Sequence, residues 1–289
     1  EIYNTSFSDY EKPFFVEETV NDYAFIGNSR KPFHTITWLS RKSIRKRGRG
    51  VSNTEGSAGF LFYEDQFGHN FISVDSLTSG KIQKKNEGGE FEYTQSNYQD
   101  PRSGKGQYTI LNFSYDTNYD LLENLRLGMF SNVNYFWDAY DQTTKCYQYD
   151  LNTNFGDKIK PLVKSSSVYE TPLGLEDSPS RIMLSVLDRG TIEKTGETKK
   201  VEKFVQEQTK YQAQAVVRYN LLFSQTVSIT IPSNVSLRVG SIIKCDFLAS
   251  NDGKDKIRSG RYLVSEISHQ FSDNNGYSGV KLIRDSYGE

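Results

Sequence analysis

Cysteine, histidine and methionine are all scarce in this sequence, and the shortages close off whole classes of chemistry. The two cysteines, Cys146 and Cys245, lie far apart and form no CxxC. A disulfide scaffold needs more of them, and a structural zinc site needs ligand clusters; both read as reduced thiols packed in strands. The three histidines, His34, His69 and His269, include no pair at metal-ligand spacing, and HExxH is absent. Ordinary surface or strand histidines are the stronger reading. GxSxG and GxxxxGK[ST] are also missing, so nucleophile-elbow and P-loop chemistry have no support. Carboxylates are plentiful, as at Glu17/Glu18 and Asp138/Asp141, but solvated charge is a commoner origin of such pairs than an acid/base couple. No catalytic, metal-binding or cofactor-binding residue is assigned, and a non-enzymatic role is expected.

Excess charge is lacking too. The 35 basic and 36 acidic residues leave a net charge of −1, so neither a phosphate-binding surplus nor a steering field is present. No apolar run reaches the length that spans a bilayer, and no membrane partner is expected. Residues Glu1 to Ser6 show neither a signal peptide nor an initiator Met, which leads to the expectation that a leading segment belongs in front.

What the chain does have is aromatic residues: 19 Tyr, 18 Phe and 2 Trp among 289 residues. Tyr joins a large apolar body to a polar tip and suits strand faces and partly wet interfaces. The length favours two cores, and the β-formers favour strands.

Pro32 opens a helix with Phe33, Ile36, Trp38 and Leu39 on its stripe, and Arg41, Lys42, Arg45, Lys46 and Arg47 follow at its carboxyl end. The basic run Arg41 to Arg49 fits either a phosphate or acidic partner or a solvated helix end. Gly59–Glu64 and Asn70–Asp75 read as a hairpin, and 81–106 as an exposed loop. After a strand at 108–113 and a short helix ended by Gly128, a long hairpin runs over 129–140 and 145–151. In its first arm Val133, Tyr135, Trp137 and Ala139 share one face while Phe136 and Tyr140 lie on the other. A strand apolar on both faces is covered on both, and Phe136 and Tyr140 are expected near a partner interface. Residues 152–180 read as a loop, 181–188 as a strand, 191–200 as a polar turn and 202–223 as a helix. Strands at 226–231, 241–247, 261–271 and 277–285 then imply a small barrel or sandwich.

Two stretches carry a family resemblance. Phe25-Ile26-Gly27-Asn28 with Lys31-Pro32-Phe33, Ile36 and Leu39, then Gly59-Phe60-Leu61-Phe62-Tyr63-Glu64, resembles the helix and following hairpin of baseplate central hub subunits of contractile-tailed bacteriophages. Gly260 to His269 with Tyr277 to Ser286 is similar to the closing hairpin of tail-tube-like barrels in phage hubs and type VI secretion spikes. The resemblance implies an α+β, β-rich fold: a tail-tube-like antiparallel β-barrel at 111–150 and 211–289, with an inserted α+β domain at 11–110 and 151–210. The family's amino-terminal barrel has no counterpart in these residues. The implied role is structural, a homotrimeric ring joining the tail tube or tube-initiator proteins to the central cell-puncturing spike. Baseplate wedge proteins are further expected partners, and the genome passes through the lumen without specific binding. The implied location is the virion baseplate, assembled in the host cytoplasm. The competing reading is a receptor- or carbohydrate-binding tail module, since exposed Tyr and Trp often line sugar sites.

Overall fold

The computed structural model describes residues 2–7, 12–20, 25, 29–46, 58–80, 90–95, 108–115, 121–139, 141–151, 162, 178–187, 198–249, 253–273 and 275–286. They fall into two compact units: residues 1–74, 121–159 and 172–220, and residues 75–120, 160–171 and 221–289.

The first unit opens with α1 (Ile2–Ser6), β1 (Phe14–Val16) and α2 (Pro32–Ser40), followed by the hairpin β2 (Phe60–Asp65) and β3 (Gly68–Ser73). Pro32 stands in the first turn of α2 as expected. The hairpin turn is held by Asp65, whose Oδ1 accepts the N–H groups of Phe67 at 2.9 Å and Gly68 at 3.0 Å. β1 adds to β3 in parallel, giving the order β1-β3-β2. Gly68 makes that addition possible. Its φ is +151°, and a Cβ there would stand 2.1 Å from the Pro13 carbonyl oxygen, the atom that accepts the His69 N–H at 3.0 Å. Aromatic rings fill the space beside this sheet, with Tyr3 stacked on Phe14 at 4.0 Å and Phe60 on Phe71 at 5.0 Å.

The same unit holds α4 (Leu121–Leu127), the hairpin β7 (Ser131–Asp138) and β8 (Thr143–Asp150), and β9 (Arg181–Val186). Gly128, at φ +71°, ends α4 as the sequence predicts. The long hairpin pairs with β9 to make the sheet β8-β7-β9, in which β9 runs parallel to β7. The helix α5 (Thr198–Leu222) presents Tyr211 and Ala215 to Ile44 and Ala58. Helix begins at Thr198, within the stretch expected to be a polar turn.

The second unit is built on a nearly closed sheet of β4 (Phe91–Gln95), β5 (Thr109–Ile110), β6 (Asn112–Tyr115), β10 (Gln225–Pro232), β11 (Ile242–Asp246), β12 (Gly260–Phe271) and β13 (Gly276–Arg284), in the order β5-β4-β11-β12-β13-β10-β6. Its ends belong to one continuous run of chain. Thr109 and Ile110 pair with β4, Asn112 to Tyr115 pair with β10, and the Leu111 N–H between them donates to the Thr230 carbonyl at 2.8 Å. That run passes from one edge strand to the other and closes the wall, removing edges that would otherwise be open to pairing. A bulge at Ser265 shifts the β12–β13 register. Inside lie Tyr93, Val227, Ile229, Ile231, Ile243, Cys245, Phe247, Tyr262, Val264, Val280 and Leu282, the inward halves of alternating strands. A short helix, α3 (Val74–Thr78), stands at the start of this unit, with residues 75–78 belonging to it.

The α+β, β-rich architecture with a barrel is therefore as the sequence implies, and two placements are corrected. The 129–151 hairpin stands outside the barrel sheet, because β7 is already flanked by β8 on one side and β9 on the other. Its place in the wall goes to Phe91–Gln95, inside the stretch read as an exposed loop. Phe91 and Tyr93 there give only two apolar alternations amid polar neighbours, too short a pattern to read as a strand. The wall is also mixed: β4 pairs in parallel with both β11 and β5, while the remaining pairs are antiparallel.

Candidate functional site

Alternation along the long hairpin decides which side chains the first unit keeps and which it offers. Phe136 is 1% exposed and packs against Leu187, because the Phe136 face of β7 is the one turned to the protein's own interior. Asn132, Asn134 and Asp138 share that side and are buried as well, with Asn134 Nδ2 donating to Asn132 Oδ1 at 2.5 Å. Phe136, expected near a partner interface, is thus buried within the single chain, and Tyr140 lies outside the described residues. The opposite face is the open one. Tyr135 and Trp137 project outward from β7, and the register places Leu184 and Val186 of β9 beside them. Ile182, Leu184 and Val186 are 68%, 80% and 64% exposed. On the other flank Cys146, Thr144 and Gln148 of β8 are exposed in register with Tyr135, Trp137 and Val133. Strand alternation at 131–138 was legible in the sequence; which face turned inward was not, because both are apolar.

The basic run is tied into the fold where it is described. Arg45 pairs with Glu17 at 2.6 Å, Lys46 with Glu18 at 3.1 Å, and the Lys42 ammonium lies 4.4 Å from the Trp38 ring centre. Arg47, Gly48 and Arg49 lie outside the described residues. Intrachain partners for three of its cations favour a structural part over a phosphate site.

The histidines are dispersed. His34 meets Arg30 at 2.8 Å on the exposed side of α2. His69 is buried, bonded to the Tyr3 hydroxyl at 2.9 Å and stacked on Phe62. His269 Nδ1 lies 2.7 Å from Ser278 Oγ. That contact has the elements of a nucleophile–base pair, but Ser278 is 0% exposed, and its oxygen also lies within 3.4 Å of the Asn234 N–H. Attack on a substrate needs a reachable oxygen, so the contact pins the β12–β13 ribbon instead. Among the described residues, no group of three His, Cys, Asp or Glu is placed to hold a metal ion. Burial pushes the Cys245 thiol well above its ordinary value, with the Asp246 charge adding to the rise; a thiol so held is a packing group and a poor nucleophile.

The barrel wall carries an open trough of about 380 Å³, lined by residues of β6, β10, β12 and β13. Asn112, Ser114, Ser228, Thr230 and Ser268 give it small hydroxyl and amide groups, and its one carboxylate, Glu266, pairs with Lys281 at 3.3 Å. Two carboxylates flanking a bond are the minimum for glycosidase-type acid/base work, and the trough supplies one, already neutralised.

No family model matches the sequence, and no curated protein matches it either. Among solved structures, the chain is similar to the tail protein from Neisseria meningitidis MC58, with a TM-score of 0.50 at 9% identity over 98% of this chain and 64% of that one. The 43 kDa tail protein of prophage MuSo2 from Shewanella oneidensis aligns with a TM-score of 0.46 at 8% identity, over 98% and 62%. A chain of the phage P2 baseplate in its activated conformation with Ca aligns with a TM-score of 0.20 at 10% identity, over 84% and 56%. The chain thus spans under two thirds of the length of these proteins. Its fold is that of the Neisseria tail protein.

Proposed function

We propose that this chain is a structural subunit of a bacteriophage tail, acting in the central hub of the baseplate. The observation that carries the reading is the nearly closed barrel of the second unit in a chain sharing the fold of a tail protein along 98% of its length. The chemistry of the described residues agrees with a part that is built in and does not turn over substrate. The buried thiol is masked, Ser278 is sealed, and the trough holds a single paired carboxylate.

In its finer form the reading is a homotrimer forming a ring between the tail tube and the central spike. Tube-initiator and wedge proteins are further neighbours, and the genome passes through the lumen without specific contacts. Its place is then the virion baseplate, reached after assembly in the host cytoplasm. The mass of the purified chain by light scattering, alone and with the spike protein of the same phage, tests this. Three copies per particle and a stable complex with the spike support it; a protomer that stays solitary at high concentration and ignores the spike overturns it. A zymogram on peptidoglycan checks the non-enzymatic part, where a cleared band would argue for a hydrolase.

A further inference from the structure

We infer that the outward face of the β8-β7-β9 sheet is the surface through which one copy of this chain packs against the next. The inference rests on the self-assembling hub reading and names the face that reading requires.

Five side chains make the face. Tyr135 and Trp137 are 37% and 48% exposed, and Ile182, Leu184 and Val186 are all above 60%. Together they leave roughly 600 Å² of surface open, most of it apolar, which is large against the few hundred Å² that a typical monomer shows in one patch. A protomer contributes about 800 Å² to a standard specific interface, so this single face supplies most of one side of such a contact. None of the outward residues of β7, β8 or β9 between Val133 and Trp137, Thr144 and Gln148, or Ile182 and Val186 is charged. Absence of charge with aromatic enrichment marks the centre of a permanent interface, whereas transient partners meet through more polar ones.

The edge adds to the argument. β9 ends the sheet order β8-β7-β9 and, among the described residues, is paired on one side only. An apolar edge strand left open is a template for aggregation, and proteins keep such edges covered. A cover needed from the moment of synthesis must be present then, in matching amount, and a second copy of the chain meets that condition. The net charge of −1 sets no long-range repulsion against it.

Cys146 provides the readout, since it is exposed on the same face in register with Tyr135. Wild-type protein, Leu184→Asp and Thr144→Arg are compared by light scattering and by the rate at which Cys146 reacts with a maleimide, with circular dichroism to check folding. All three positions are exposed, so neither substitution disturbs the core, and the second variant stands in if the first misfolds. The expected result is an assembled wild type with a slow Cys146, and folded variants that dissociate with the thiol reacting at least about tenfold faster, following its exposure. Folded variants that keep the wild-type mass overturn the inference and leave the hub reading intact, because assembly then uses another face. A wild type that stays monomeric with a fast thiol overturns both. A monomer whose Cys146 slows only when a different tail protein is added assigns the face to that protein and overturns the inference.

Discussion

The guanidinium of Arg284 lies 4.5 Å from the centre of the Tyr262 ring, and both side chains are fully buried in the barrel unit. A charge so deep requires partners. Arg284 Nε donates to Gln225 Oε1 at 2.5 Å, Nη1 to the Ser259 carbonyl at 3.2 Å, and Nη2 to the Ile257 carbonyl. The fork thereby fastens the last residue of β13 to the first of β10 and to the turn that leads into β12.

Arg284→Met keeps the volume and removes the fork, leaving the acceptors it served without that donor. A loss of about 2–4 kcal/mol in unfolding free energy is expected, since each stranded buried polar group costs on the order of 1–3 kcal/mol. Arg284→Lys should recover little, because an ammonium cannot reproduce three directed donors and a planar stack. Urea unfolding measures both, and a cost below about 0.5 kcal/mol, the size of an ordinary surface substitution, would show that the fork is dispensable.

Tyr219 on α5 clips the start of the β2–β3 hairpin. Its hydroxyl donates to the Phe60 carbonyl at 2.7 Å and accepts the Phe60 N–H at 3.0 Å. Tyr219→Phe removes both bonds without changing the ring packing, and the expected cost is about 1–2 kcal/mol. Hydrogen exchange at the Phe60 amide should accelerate along with the fall in stability. An unchanged amide would mean that the strand holds without the clip.

Local patterns reached the strands and missed their neighbours. The alternation at 226–231 and 277–285 marks β10 and β13 to within a residue or two, and Gly128 marks the end of α4. Pairing is a long-range choice that such patterns do not encode: Val133 faces Ile182 in parallel across nearly fifty positions of chain. The same limit applies to the two faces of the long hairpin. Phe136 and Trp137 are equally apolar as residues, and only Leu187, packed on one of them, decides which is inside. In the barrel, the Ile110–Asn112 crossing that closes the wall carries no motif at all; it is visible only as the bond from Leu111 to Thr230.

Gly68 is a position where a methyl group has no room, since its Cβ would overlap the Pro13 carbonyl oxygen. Gly68→Ala should push the chain at Pro13 away and break the His69 N–H bond to it, detaching β1 from β3. The cost expected is on the order of 1–3 kcal/mol for a residue forced into a glycine-only conformation. Protease cleavage near Phe14–Val16 should rise with it, and an unaltered cleavage pattern would show that the backbone absorbs the methyl elsewhere.

Alkaline pH should unfold the barrel through its buried acids. Burial raises the ionisation of Tyr93, Tyr115, Tyr262 and Cys245 above their ordinary values. The neutral forms are the ones the fold accepts, so their contribution is complete below the ordinary values of 9.0 for the thiol and 10.0 for the phenols. Above those values the unfolded chain releases protons that the folded one retains, and stability falls with each further step in pH. Unfolding free energy measured in urea should therefore hold level through these groups up to about pH 9 and decline beyond it. Cys245→Ala should delay the onset of that decline, because the first of the four groups to ionise in the unfolded chain is then gone. Tyrosinate absorbance should appear in two stages, with exposed rings first and the barrel tyrosines only as the circular dichroism signal of the fold is lost. Ionisation of all tyrosines in one step, with the fold intact, would show that water reaches the barrel interior and that burial is not what holds those hydroxyls neutral.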